Sequence, residues 1–296
     1  MENDTVDMSN ISHWQRAKVL MEAMPYIRKY HNKVIVVKYG GAAMLDEGRK
    51  RQVMGDITLL HLAGIHVVLV HGGGPEISDL LKKMGKKSEF VDGLRVTDKD
   101  TMGVVQMVLA GKINKGLVAL VESFGQHAIG LSGLDGSLIK ACKLDERLGF
   151  VGEVTEIDPK PIEMVLEKRY IPILSTIGCD KQGNVYNINA DTAAAKVAAA
   201  LGAESLLSMS DIPGLLRDVQ DEGSLIRRVY LDEIDGLIER GIISSGMIPK
   251  IDCCVKALEG GVRRAFILDG RIPHSILIEV LTDAGIGTMF LKRENQ

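Results

Sequence analysis

Two lysines, one aspartate and two glycine turns carry the chemistry that this sequence suggests. Lys38 lies inside an apolar run, VIVVKYGG (34–41), where an ammonium group needs an anion beside it because an unpaired buried charge is costly. That run ends in Gly40 and Gly41, and a second one, VVLVHGGGPEIS (67–78), ends in Gly72, Gly73 and Gly74. Bare backbone at such a turn lets N–H groups approach an anion closely, and a helix starting behind it adds the positive end of its dipole. Lys250 ends SSGMIPK (244–250) at the start of a helical pattern. In YNINADTAAAKVAAALGA (186–203), Asn189 or Asp191 can cap an alanine-rich helix; the functional reading sets Asn187 beside a substrate and Asp191 between positive groups. Arg95, in GLRVTD (93–98), can grip a carboxylate with both arms of its guanidinium. Each feature has a plainer explanation as a solvated lysine, a tight turn, a cap or a surface ion pair. Together they describe an anion site, with a dinucleotide, the phosphates of ATP and other anions all open.

The glycine spacing narrows this. HGGGPEI lacks the G-x-G-x-x-G order of a dinucleotide cradle, and no acidic residue ends a strand about 20 residues later to hold a ribose. A G-x-x-x-x-G-K-[ST] phosphate loop is absent as well. His71 reads as a structural histidine that bonds backbone and shapes the turn. The sequence suggests no protein ligand for a metal.

Short β-branched runs alternate with longer helical patterns from residue 33 onward. VIVVKYGG, HVVLVHGGG (66–74), AIGLSG (128–133), YIPILSTIG (170–178), SLLSMSD (205–211) and RAFILDG (264–270) are apolar without alternation, which suits strands covered on both faces. Segments such as 51–63 and 192–201 are long enough for crossover helices, so the expected fold is α/β, a doubly wound, mainly parallel sheet. Ligands then lie beyond the carboxyl ends of the strands, where the glycines are. Residues 142–158 fit a hairpin excursion. A turn-rich stretch, GCDKQGN (178–184), marks a break between an N-terminal lobe (32–183) and a C-terminal lobe (184–296). Ahead of them, residues 11–30 repeat apolar positions at helical intervals, with a capping box at Ser12 and Gln15 and a break at Pro25.

The 296 residues carry a formal charge of -3, so bulk charge attracts neither nucleic acid nor an anionic membrane, and any anion is held locally. Cys142, Cys179, Cys253 and Cys254 show no C-x-x-C spacing and suit a reducing compartment. No apolar run approaches the ~18 residues that cross a bilayer, and the acidic start MENDTVDMSN is unlike a signal peptide. A cytoplasmic location is the expectation.

With these pieces in order, the chain resembles the amino acid kinase family. The resemblance runs from about Lys33 to Leu291 and rests on motifs in register, among them VVKYGG, VHGGGPEI, DGLRVTD, LAGKINKGLV, YNINADTAAAKVA, SDIPGLL and GIISSGMIPK. Within that family it is similar to the members that phosphorylate N-acetyl-L-glutamate and are inhibited by arginine. The resemblance implies an open αβα sandwich whose N-terminal lobe binds N-acetyl-L-glutamate and whose C-terminal lobe binds ATP with Mg²⁺. It gives Lys38 and Lys250 the role of transition-state lysines and Asp191 that of the carboxylate holding them. Gly73, Gly74, Arg95, Asn187 and Asn189 match the substrate site. Gly40, Gly41, Ser210, Asp211, Gly214, Leu215, Gly246 and Met247 fall on the nucleotide side.

The same resemblance implies regulation. An N-terminal helix, residues 1–31, would interlace homodimers into a homohexamer, and Glu279, Gly285 and Gly287 would lie near the effector arginine. Phe266 stands where a histidine is frequent in arginine-sensitive members. Three other readings stay open: a kinase for a related acyl-amino acid or carbamate, a nicotinamide oxidoreductase, and a non-catalytic arginine-sensing module.

Overall fold

The computed structural model describes residues 12–243 and 246–293. Residues 1–11 of the expected N-terminal arm, and Ser244 and Ser245 of SSGMIPK, lie outside the described residues. In chain order the strands are β1 (Val34–Tyr39), β2 (His66–His71), β3 (Phe90–Val91), β4 (Leu94–Arg95), β5 (Ala128–Ser132), β6 (Ile139–Lys143), β7 (Gly152–Ile157), β8 (Ile171–Ser175), β9 (Ile177–Cys179), β10 (Val185–Asn187), β11 (Ser205–Ser210), β12 (Arg228–Tyr230), β13 (Arg264–Asp269) and β14 (Thr288–Leu291). The helices are α1 (His13–Glu22), α2 (Met24–Tyr30), α3 (Glu47–Leu62), α4 (Gly74–Lys83), α5 (Lys99–Gln106), α6 (Asn114–Glu122), α7 (Lys160–Glu167), α8 (Ala190–Ala200), α9 (Ile234–Glu239), α10 (Ile248–Glu259) and α11 (Ser275–Leu281).

Eight strands make one sheet in the order β12-β14-β13-β11-β1-β2-β8-β5, and its pairings are parallel except between β13 and β14. The unalternating apolar runs do what covered strands require. Ile35 and Val37 enter the core on one face while Val36 enters the core on the other, and β2 divides Val67 and Leu69 from Val68 and Val70 in the same way. Each such side chain contributes roughly 1.5–3 kcal/mol by leaving water. The α/β sheet expected from the sequence is therefore present.

Some details depart from the expectation. YIPILSTIG breaks at Thr176 into β8 and β9, and β9 leaves the main sheet to pair antiparallel with β10. The excursion at 142–158 is an antiparallel β6–β7 pair with a bulge at Lys140/Ala141, and it joins β9 and β10 in a four-stranded sheet. The expected break at 183/184 falls inside the β9–β10 hairpin, while the central sheet continues from β1 into β11. Lys99–Glu122 is a continuous helix of 24 residues, with π-helical turns at Met107–Ile113 between α5 and α6. By length and composition it could span a bilayer, contrary to the sequence expectation. Glycines and scattered polar residues hide its length in a run-by-run reading, and its buried face, with Val104, Val108, Leu109, Leu117 and Val121, belongs to the domain core.

At the N-terminus Ser12 and Gln15 form the capping box, and the helix breaks before Pro25. Helix α1 buries none of its side chains: Trp14, Val19, Leu20 and Met21 all stand exposed. Helix α2 instead buries Tyr30 and packs against α11.

Candidate active site

Strand β1 pairs with β2 on one side and β11 on the other, so its carboxyl end lies where the two halves of the sheet diverge, the place where open α/β sheets bind ligands. Lys38 sits there in register with Val70 and Ser208, and it is buried. Its Nζ lies 2.9 Å from Asp191 Oδ1. Asp191 is held from two directions. The Asn189 side chain caps α8 by accepting the N–H groups of Asp191 and Thr192, each at 3.0 Å, and Ser208 donates its hydroxyl to Asp191 Oδ1 at 3.3 Å. Burial pushes the Asp191 carboxyl up, but Lys38, its hydrogen bond, Lys250 and Ser208 outweigh burial and hold the pKa below its ordinary value. Lys250, in the first turn of α10, acts on Asp191 through its charge as α10 packs along α8. The three groups singled out from sequence thus form one electrostatic unit.

The two glycine turns lie side by side. Gly72 donates its N–H to Tyr39 O at 3.0 Å, and the Lys38 side chain runs past Gly40. Gly41 adopts φ 70°, which favours glycine, and opens a short 3₁₀ turn to Met44. A methyl group on Gly73 would sit 2.3 Å from Ile113 Cδ1 and 2.7 Å from Leu109 Cδ2, so the π-helical segment presses directly on this turn. Gly74 begins α4 with Pro75 behind it, and no side chain among the described residues caps the helix. Its positive end is left to the site. His71 is fully buried, its Nδ1 2.9 Å from Gly72 O and its Nε2 3.2 Å from Asn114 Nδ2. Burial lowers its pKa to about 4, which keeps the ring neutral and makes it a brace of the turn.

Gly73, Gly74, Arg95, Asn187 and Asn189 line one cavity of about 180 Å³. Arg95 is buried in its wall. Its NH1 donates to Ser88 Oγ at 2.6 Å, and its NH2 donates to Ser78 Oγ at 2.8 Å and to Gly74 O at 2.9 Å. Phe90 stacks on the guanidinium with 4.7 Å to the ring centroid. Among the described residues no carboxylate pairs with it, and burial draws its pKa down from the ordinary value. Asn187 is oriented by Thr97, whose Oγ1 accepts its amide at 3.3 Å while donating to Arg95 O at 2.7 Å. Phe90, Ser78, Ser88, Thr97 and Ser208 were not found from sequence. Ser78 alone had a signal, standing one helical turn beyond Gly74.

The groups assigned to the nucleotide side are less uniform. Ser210 ends β11 and Asp211 follows it, with Ser210 Oγ donating to Asp211 Oδ1 at 3.2 Å and Asp211 exposed. Gly214 takes φ 123°, and a methyl there would meet Thr288 Oγ1 at 2.7 Å. Leu215 is fully buried and its N–H donates to Thr288 Oγ1 at 2.8 Å, so this residue offers a ligand neither side chain nor amide. Gly246 and Met247 form the turn that starts α10. Glu279 faces a separate cavity of about 970 Å³ that Tyr26, Lys29 and Tyr30 of α2 and Phe266 also line. Its Oε2 accepts the N–H groups of Ile286 at 2.9 Å and Gly287 at 3.2 Å, and Arg227 donates to the carbonyls of Ala284 and Gly285. Gly285 and Gly287 therefore shape the turn behind Glu279.

The amino acid kinase family matches residues 33–269. The acetylglutamate kinase of Brachyspira hyodysenteriae is 52% identical over 287 residues, spanning 96% of this chain and 100% of that protein. That of Heliobacterium modesticaldum is 51% identical over 94% of this chain and 98% of its own. Among solved structures, N-acetylglutamate synthase from Neisseria gonorrhoeae, complexed with coenzyme A and N-acetyl-glutamate, superposes with a TM-score of 0.83 at 29% identity, covering 94% of this chain and 64% of that one. Giardia carbamate kinase shares the fold, with a TM-score of 0.67 at 17% identity over 88% of this chain and 99% of its own. Sequence and fold agree: the chain belongs to the amino acid kinase family.

Proposed function

We propose that this chain is an N-acetyl-L-glutamate kinase. It transfers the γ-phosphoryl group of ATP to the side-chain carboxylate of N-acetyl-L-glutamate, giving N-acetyl-L-glutamyl 5-phosphate for arginine biosynthesis. The observation that carries this reading is Arg95, a buried guanidinium without a carboxylate partner among the described residues, in the wall of the cavity that the positive end of α4 also faces. A dicarboxylate answers both charges, one carboxylate at Arg95 and the other at the amides of Gly73 and Gly74.

The chemistry follows from charge. A carboxylate is already ionised at neutral pH and needs no general base, so the neutral, buried His71 has no proton to take. The obstacle is repulsion between the attacking carboxylate and the triphosphate. Lys38 and Lys250, held by Asp191, neutralise the phosphoryl group in flight, and the amides around Gly40 and Gly41 hold its oxygens. Mg²⁺ enters with ATP as the MgATP substrate, because it keeps several of its waters and takes few protein ligands. The Gly246–Met247 turn, the end of β11 at Ser210, and Asp211 after it face the nucleotide. On this reading residues 32–183, joined by Asn187 and Asn189, bind acetylglutamate, and the remainder of residues 184–296 binds ATP.

Arginine inhibition is part of the same proposal. The large cavity at Glu279 supports it, because it joins a carboxylate that suits a guanidinium to helix α2 of the N-terminal segment. The exposed apolar side chains of α1 support an arm that covers them against another subunit of a hexamer. The four free thiols fit a cytoplasmic setting. A coupled ADP-release assay tests the function, run with N-acetyl-L-glutamate, N-acetyl-aminoadipate and carbamate, with and without arginine. Turnover restricted to acetylglutamate and suppressed by arginine is expected. Turnover of another acceptor instead overturns the substrate assignment.

A further inference from the structure

We infer that Ser208 is a positioning residue of this reaction, which together with Lys38 pins Oδ1 of Asp191 and so leaves Oδ2 for Lys250. The inference rests on the reading of Lys38, Asp191 and Lys250 as the groups that neutralise the transferring phosphoryl.

Ser208 and Lys38 are register partners on adjacent parallel strands, and both reach the same oxygen, Asp191 Oδ1, at 3.3 Å and 2.9 Å. Ser208 is buried, between Leu207 and Met209 in a strand that is otherwise mostly apolar at its centre. A buried hydroxyl requires a partner, and the one it has is this carboxylate. The other groups facing Asp191 are Lys250, Cys253 and Cys254 from α10, and Lys38 from β1. Only the lysines among these offer positive charge, and both are needed at the phosphates. A carboxylate held by lysine ammonium groups alone follows them whenever they shift toward the substrate, because an ammonium on a flexible stem imposes little direction. A hydroxyl on a central strand supplies a third, neutral contact with a rigid base. It fixes the rotation of the carboxylate and leaves the charge balance of the site untouched. Asn189 does the same for the backbone of Asp191 through the α8 cap. The carboxylate that orients two lysines is thus itself oriented by β11 and by the cap of α8.

The test compares Ser208→Thr, which keeps a hydroxyl, with Ser208→Val, which has the same shape without one. Losing a modest hydrogen bond to a charged group predicts a kcat about 3- to 10-fold lower for Val than for Thr, with KM values for ATP and acetylglutamate within about twofold. In an Asp191→Asn background the Thr and Val substitutions should be equivalent. Equal kcat for Thr and Val, or the full Val-to-Thr difference persisting without the Asp191 carboxylate, overturns the inference. A ligand-free comparison separates it from the function proposed above: crystal structures of the two variants should show the Asp191 carboxylate rotated in Val and unmoved in Thr. The same orientation in both overturns the positioning role whatever substrate the enzyme uses.

Discussion

Replacing Lys38 by alanine removes one partner of a buried pair and tests catalysis and stability at once. The two side chains are 8% and 19% exposed and 2.9 Å apart, so solvent screens them little. Leaving one partner of such a pair unpaired costs about 3–5 kcal/mol, and this is a ceiling here because Lys250 and Ser208 still face Asp191. The pH dependence has a definite sign. The folded-state pKa of Asp191 is depressed, so the pair contributes stability above the ordinary carboxylate value near ~3.9 and loses it as pH falls through the folded value. The stability gap between wild type and Lys38→Ala should therefore be full at pH 7 and close below about pH 4 in chemical denaturation. Catalysis should fall as well, by about 10²–10³ in kcat, the loss typical of one preorganised group at a developing charge. The assay is ADP release under saturating substrates at a temperature where circular dichroism shows the variant folded. A folded Lys38→Ala enzyme with near-normal kcat would refute the assigned role.

Other outcomes follow from the same geometry. Arg95→Gln should raise KM for acetylglutamate about 30-fold or more while leaving KM for ATP within a few-fold, since a buried charge pair with the substrate is worth about 2–5 kcal/mol; equal effects on both constants would place Arg95 elsewhere in the mechanism. Asp56 is buried on α3, accepts His274 at 2.6 Å, and has its pKa raised to about 6 by burial against those hydrogen bonds. A raised carboxyl pKa gives stability that is full below ~4 and is lost as pH rises to about 6, so Asp56→Asn should flatten the stability profile over that window by roughly 2–3 kcal/mol, and an unchanged slope in urea titrations would count against it. Deleting residues 1–31 should leave a smaller assembly and a weaker arginine response; light scattering and an inhibition curve that both match the full chain would remove the arm from either role.

Much of this protein is legible in its residues alone. Periodicity identified the covered strands, because a strand packed on both faces must be apolar at every position, as Ile35 to Val37 are. Capping chemistry located Ser12 and the break at Pro25, since both act within a few residues. Lys38 stood out because a charge among apolar neighbours needs a partner, Asp191 because it opens a capped helix, and it was the family resemblance that joined Lys250 to them. Who that partner is, and what else touches it, depends on residues distant in sequence. Ser208 meets Asp191 across 17 positions, Arg95 meets Ser78 across 17, and Asn187 meets Thr97 across 90. No local pattern encodes such pairs, because they arise from strand register and from the way helices settle on the sheet. Leu215 makes the same point in reverse. Its motif suggested a ligand contact, yet the turn at Gly214 directs it into the core, and that direction is set by Thr288 far along the chain. Short-range physics chose the elements and the charged residues, and long-range packing chose their neighbours.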